Sequence, residues 1–147
     1  SVPMYPKIFV SRKDAGNRKI LNEDEIFELF KPLGFVRYEL GRLSVADQIK
    51  LFEQAEIIVG PHGGGFTNIL FSKPGTSLIE IFQEHCDCCF GYMAQQYQIE
   101  YDAIVTTKFV DQQYCQGKPY VSSYSSTYVS PYLIQEYIQK NYQRLAR

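Results

Sequence analysis

A chain of 147 residues, 45% hydrophobic and 21% charged, has the length of one domain and the apolar content of an ordinary globular core. Its formal net charge of -1 excludes a global field that recruits nucleic acid or an anionic membrane surface. No apolar run approaches the roughly 20 residues of a membrane-spanning helix, and the opening Ser1-Val2-Pro3-Met4-Tyr5-Pro6-Lys7 is neither a signal nor a transit peptide.

The first element is a strand over Lys7 to Ser11, and a domain that starts so abruptly reads as cut from something longer. Arg12 stands where this strand ends, followed by the polar loop from Lys13 to Arg18. Two guanidinium groups at the carboxyl end of a strand suit a diphosphate, because the planar fork binds phosphate oxygens in pairs. Solvated loop charge is the other reading, and it weighs more for Arg18 than for Arg12. Asn22 with Glu25 three residues on has capping-box spacing, so a helix starts there, carries Ile26, Phe27, Leu29, Phe30 and Leu33 inward, and ends at Pro32-Leu33-Gly34. A second strand follows over Phe35 to Leu40. Ser44 and Asp47 repeat the capping pattern and open a helix with Ile49, Phe52 and Ala55 inward. Gln48 on its first turn reads as a surface residue.

Ile57, Ile58 and Val59 form the β-branched run of a strand buried on both faces, stopped by Gly60-Pro61. His62 and the side-chain-free Gly63, Gly64 and Gly65 come next, then an apolar segment at helical spacing, Phe66, Ile69 and Leu70. A glycine turn between strand and helix lets backbone N–H groups approach an anion, and the helix dipole adds about half a positive charge there. Tight packing or positive φ is the structural alternative for the glycines. A bond to a nearby carbonyl is the alternative for His62. The position at a strand's carboxyl end, where open α/β sheets bind ligands, favours a phosphate turn with His62 on its rim.

Ser77 to Phe82 is the fourth strand, interrupted by Glu80. A carboxylate within Leu-Ile-Glu-Ile-Phe must face a cleft, where it meets a ribose or sugar hydroxyl, or pair with an arginine, since burying it bare costs several kcal/mol. Cys86 and Cys89 have C-x-x-C spacing, with Cys115 as a further candidate ligand. The second half of a zinc signature is missing, so small thiols packed behind a strand are the preferred reading. A helix over Phe90 to Gln98, a fifth strand over Glu100 to Val105 and a long polar segment over residues 107–127 follow; a segment of that length suits a ligand cover or a contact with another domain. Ser130 caps a last helix with Pro131 in its first turn and Ile134, Tyr137, Ile138, Tyr142 and Leu145 along one stripe. The alternation predicts a Rossmann-like, doubly wound, mainly parallel sheet of about five strands with flanking helices. Arg12, the glycine turn and Glu80 then converge on one crevice at its carboxyl edge.

Arg12 and Arg18, Asn22-Glu23, Gly34-Phe35, Ser44 with Asp47-Gln48, Ala55, the turn from His62 to Asn68, Phe71, Pro74-Gly75 and Glu80 together resemble the carboxy-terminal half of family 61 glycosyltransferases. This resemblance spans roughly Lys7 to Phe82. The family includes bacterial capsular-polysaccharide enzymes, plant xylan-modifying transferases and animal O-linked N-acetylglucosaminyltransferases. The resemblance implies a GT-B architecture, with residues 1–147 as the nucleotide-sugar-binding domain and an amino-terminal domain elsewhere. It implies inverting transfer from a nucleoside-diphosphate sugar, a UDP-sugar, to a glycan or protein hydroxyl, without a metal or other cofactor. By the same resemblance His62 and Gly63, Gly64 and Gly65 hold the diphosphate, Arg12 offsets its charge and Asn68 supports the turn. Glu80 contacts ribose or sugar, and Asn22, Ser44 and Gln48 shape the nucleotide pocket. His62 is also the candidate acceptor base on chemical grounds, although its place beside the turn suits a donor better. Two positions depart from the family pattern: His-Gly-Gly replaces His-Gly-Ala, and Asp47-Gln48 replaces Glu-Gln. A non-catalytic nucleotide-binding module is the competing function. A dinucleotide enzyme is disfavoured, because Gly60-Pro-His-Gly-Gly-Gly lacks G-x-G-x-x-G spacing. The absence of an Asn-x-Ser/Thr sequon and of a disulfide framework favours a cytosolic setting over a Golgi or ER lumen, with membrane association through other parts of the protein.

Overall fold

The structure, a computed structural model, describes residues 3–83, 87–106 and 126–147. Five strands, β1 (Lys7–Ser11), β2 (Val36–Glu39), β3 (Ile57–Pro61), β4 (Ser77–Gln83) and β5 (Glu100–Thr106), form one sheet in the order β2-β1-β3-β4-β5. Every neighbouring pair is parallel, so the expected doubly wound, Rossmann-like α/β sheet is what forms. Strand order reverses between β1 and β3, and in such sheets a crevice opens beyond the carboxyl ends of the strands at that switch point.

Strand alternation sorts the core into two layers. Ile8, Val10, Ile58 and Leu78 pack with Leu51 and Phe52 of α2 (Val45–Gln54) and with Phe90 and Ala94 of α3 (Cys89–Gln96). Phe9, Ile57, Val59, Ile79, Ile81 and Ile104 pack with Ile26 and Phe30 of α1 (Glu23–Phe30), Ile134 of α4 (Pro131–Lys140) and Leu145 of α5 (Tyr142–Leu145). Each such large apolar side chain contributes about 1.5–3 kcal/mol on full burial, which is why β-branched runs over two faces fix these strands centrally.

Helix ends differ from the sequence reading in instructive ways. The Ser44 hydroxyl accepts from the Asp47 N–H at 3.1 Å, so the expected cap of α2 forms. Asn22 is at the N-cap of α1 but makes no side-chain cap bond. Its amide instead exchanges a pair of bonds with Val129, donating to the carbonyl at 2.8 Å and accepting from the N–H at 2.9 Å. Ser130 likewise makes no side-chain cap, and the expected single last helix is divided at Asn141 into α4 and α5. The segment after the glycines is a 3₁₀ helix over Gly64–Phe71, not an α-helix. Cys88 and Cys89 are exposed rather than packed behind a strand. Cys86, Cys115 and the long polar segment from 107 to 125 lie outside the described residues. No described helix is long and apolar enough to cross a membrane.

Candidate functional site

The three glycines make the site possible by what they leave out. None of Gly63, Gly64 and Gly65 lies in the left-handed region, and Gly63 at φ 176° is extended. A Cβ on Gly63 would stand 2.1 Å from Arg12 Nη1, and one on Gly65 would stand 2.7 Å from Leu40 Cδ1. At Gly64, which is exposed, a Cβ would meet nothing within 4 Å. Close approach of Arg12 and Leu40 therefore accounts for two glycines, and the turn keeps an opening to solvent at the third. The first bond of the 3₁₀ helix runs from the Phe66 N–H to the Gly63 carbonyl at 3.1 Å. The N–H groups of Gly64 and Gly65 precede it and have no intrahelical acceptor.

A cleft of about 240 Å³ borders this turn, lined among others by Ser11, Arg12, Asp14, Gly41, Gly63 and Gly65. It lies at the β1/β3 switch point. Its volume is below the roughly 300–1,000 Å³ of pockets that engulf a whole small molecule, and suits one charged moiety such as a diphosphate. Arg12 Nη2 donates to the carbonyl and to Oδ1 of Asn17 at 3.0 and 3.1 Å. Its Nε is buried and has no hydrogen-bond partner, and no carboxylate pairs with it within 4.0 Å among the described residues. Burial first, and then the charge of Arg18, push the Arg12 guanidinium below its ordinary pKa, with Asp14 acting the other way. Two like charges acting on one another at a partly buried guanidinium are the arrangement that an anion relieves.

Glu23 anchors this edge, and sequence reasoning overlooked it as one of three acids at a helix start. Only 2% exposed, it accepts from the Ser11 hydroxyl at 2.7 Å and the Arg12 N–H at 3.0 Å, with Arg37 at 3.4 Å. Asp14 Oδ2 accepts from the Gly41 N–H at 3.0 Å and ties the loop after β1 to the far wall of the cleft. Gln48 is half-buried rather than on the surface. Its amide donates to the Leu40 carbonyl at 2.9 Å, and its oxygen accepts from Asn68 Nδ2 at 3.0 Å. Asn68 also donates to the Gly65 carbonyl at 3.1 Å, so Gln48 and Asn68 brace the glycine turn against β2 and α2.

The single crevice expected to gather Arg12, the glycines and Glu80 does not form. Glu80 is 0% exposed, and neither it nor His62 lines the cleft. Glu80 Oε2 is 2.5 Å from His62 Nδ1, and Oε1 accepts from the Tyr101 hydroxyl at 2.6 Å. Each oxygen thus has one donor inside the fold, and the partners of Glu80 are a histidine and a tyrosine rather than the alternative arginine. A carboxylate only accepts, so His62 Nδ1 donates to it and the ring's other nitrogen, Nε2, is turned away from Glu80. The His62 ring stacks on Phe82 at 5.4 Å and leans on Phe90 at 5.3 Å, which fixes its plane. Tyr101 was missed by sequence reasoning. Its signal is the need of a carboxylate in a central strand for a donor on the neighbouring strand, and Tyr101 pairs with Leu78 in the β4/β5 register. Asn22 and Ser44 are engaged at helix starts, and Arg18, half-buried with φ 52°, interacts electrostatically with Arg12. Near His62, the Cys89 thiol is pushed up to about 11 by burial and by Asp87.

A doubly wound α/β domain with an arginine and a glycine turn lining a cleft at its switch point has its cleft where open α/β sheets bind ligands. The family model for glycosyltransferase 61 matches residues 1–79, and the chain belongs to that family. It is 26% identical over 100 residues to the EGF domain-specific O-linked N-acetylglucosamine transferase of Mus musculus, covering 65% of this chain and 19% of that protein. It is 27% identical over 127 residues to the beta-1,2-xylosyltransferase of Arabidopsis thaliana, covering 71% and 24%. The O-linked N-acetylglucosamine transferase of Drosophila melanogaster is 26% identical over 87 residues, covering 57% and 17%. The chain thus spans between a sixth and a quarter of the length of these eukaryotic relatives.

Proposed function

We propose that this domain binds a nucleoside-diphosphate sugar, with UDP as the nucleotide, and presents it for inverting transfer to a hydroxyl of a glycan or protein. The observation that carries the reading is the Arg12 guanidinium, its buried Nε without a partner among the described residues, packed against Gly63 in a cleft that Gly65 also lines. In this reading Arg12, assisted by Arg18, and the amides of the glycine turn offset the charge that builds on the departing diphosphate. No metal is required there, and preorganised donors of this kind commonly supply the largest catalytic term.

His62 is the proposed acceptor base. The acceptor oxygen attacks the anomeric carbon, the bond to the diphosphate breaks, and the hydroxyl proton passes to a base, for which His62, adjacent to the turn but outside the cleft lining, is the candidate. Glu80 and Tyr101 are positioning residues that keep Nδ1 protonated and the ring in plane. A second domain across the cleft, in a GT-B arrangement, supplies acceptor contacts in this proposal. Family membership and the names of the relatives support the transferase class and a compartment of the eukaryotic glycan-modifying type. The test is competition by saturation-transfer NMR among UDP-N-acetylglucosamine, UDP-xylose, UDP, GDP, CMP and NAD. The uridine compounds are expected to displace one another and resist the rest; NAD as the best ligand rejects the reading. Product analysis with the longer parent enzyme then separates inversion from retention and an enzyme from a silent binding module.

A further inference from the structure

Beside the cleft, and outside its lining, His62, Asp87 and Cys89 offer a nitrogen, an oxygen and a sulfur that all lie within 4.8 Å of one another. We propose that these three side chains form a site for a borderline-soft divalent cation, zinc by preference, that clamps the turn after β3 to the start of α3. Mixed N, O and S ligands in a set of three with an open fourth position suit zinc and disfavour magnesium or calcium, which take oxygen almost exclusively.

The geometry needs little change. Ligands at about 2.0–2.3 Å from one tetrahedral ion stand roughly 3.3–3.8 Å apart, so a closure of about 1 Å assembles the site. Asp87 and Cys89 flank the start of α3, and the Cys89 N–H already donates to Asp87 Oδ1 at 2.9 Å, which holds the two in register. The independent support lies behind the histidine. Glu80 holds Nδ1 at 2.5 Å and is itself held by Tyr101, so Nε2 is the ring nitrogen that would serve as the ligand. A buried carboxylate on the far nitrogen is the outer-shell arrangement that orients histidine toward metals and raises its basicity. Phe82 and Phe90 against the ring supply an apolar wall.

The proposal touches the functional reading at one residue, because the ion takes the His62 ring that is the candidate base there. Zinc and transfer therefore compete, whereas UDP binding at Arg12 does not respond to zinc. The decisive experiment is titration of the full chain with cobalt(II), followed by displacement with zinc in the presence of a chromophoric chelator. One ion per chain is expected, with a sulfur-to-cobalt charge-transfer band that Cys89→Ser abolishes and Cys88→Ser leaves intact. His62→Gln and Asp87→Asn each weaken zinc at least tenfold, and Glu80→Gln weakens it by a smaller factor without removing the band. No band, a band that survives Cys89→Ser, or zinc affinity indifferent to His62→Gln and Asp87→Asn overturns the site. The last of these outcomes assigns the ion to thiols alone. None of these readouts involves nucleotide, so failure here leaves the UDP competition to stand or fall separately.

Discussion

Strand β1 carries a cation at its first residue and another just beyond its last, and the two are treated in opposite ways. Lys7 is 7% exposed, and its ammonium donates to the Leu33 carbonyl at 2.8 Å and the Leu145 carbonyl at 2.7 Å. Those carbonyls end helical segments, where the chain's own partial negative charge gathers, so the fold itself satisfies the cation. Arg12 has two bonds to one loop residue, a buried Nε without a partner among the described residues and a like charge nearby. The first cation is satisfied by the fold, and the second is the one to which the proposed function assigns a ligand.

The contrast can be broken from either end. The largest expected effect on stability is from Lys7→Met, which strands two helix-terminal carbonyls and should cost roughly 3 kcal/mol in urea denaturation while leaving UDP affinity unchanged. Glu80→Gln keeps the shape of the buried carboxylate but mismatches one of its two donors, and about 1–3 kcal/mol of lost stability is expected by the same measurement. Asn68→Ala removes the link between Gln48 and the glycine turn, for about 1 kcal/mol, with a weaker loss of UDP affinity than any change at Arg12. Asp24→Asn should do least. Hydrogen bonds from Lys13 and then Arg37 hold this exposed carboxyl below its ordinary range. Its contribution is therefore present above the unfolded-state value and lost as pH falls through the lower folded one. Thermal scans between pH 5 and 2 should show a difference between Asp24→Asn and the parent only at the upper end, vanishing in high salt.

What the sequence made legible was what depends on near neighbours. β-branched runs placed the strands, and Ser44 with Asp47 placed a cap whose partners are three residues apart. Asn22 had the same signature and does donate to Glu25 Oε2 at 2.9 Å, but it caps no backbone N–H of α1 and its other partner is Val129, 107 residues on, a pairing no local pattern encodes. Glu80 shows the same limit: its position announced a buried carboxylate, but its partners, His62 and Tyr101, follow from strand register. Arg12 and the glycines were readable because a strand end and a turn are local features. The separation of His62 from the Arg12 cleft was not, because it depends on where each side chain leaves the edge of the sheet. The exposed Cys88 and Cys89 depart from the general burial of free cysteine for a reason composition cannot carry, their place at the start of α3.

Calorimetric titration of UDP into the parent chain and into Arg12→Met tests the central claim most directly. The account expects a loss of about ten- to a hundredfold in affinity, as for removal of a charge-assisted contact, with thermal stability unchanged or raised because a buried, unpartnered nitrogen has gone. UDP affinity unchanged by Arg12→Met, or a loss of folding as large as that from Lys7→Met, would contradict it.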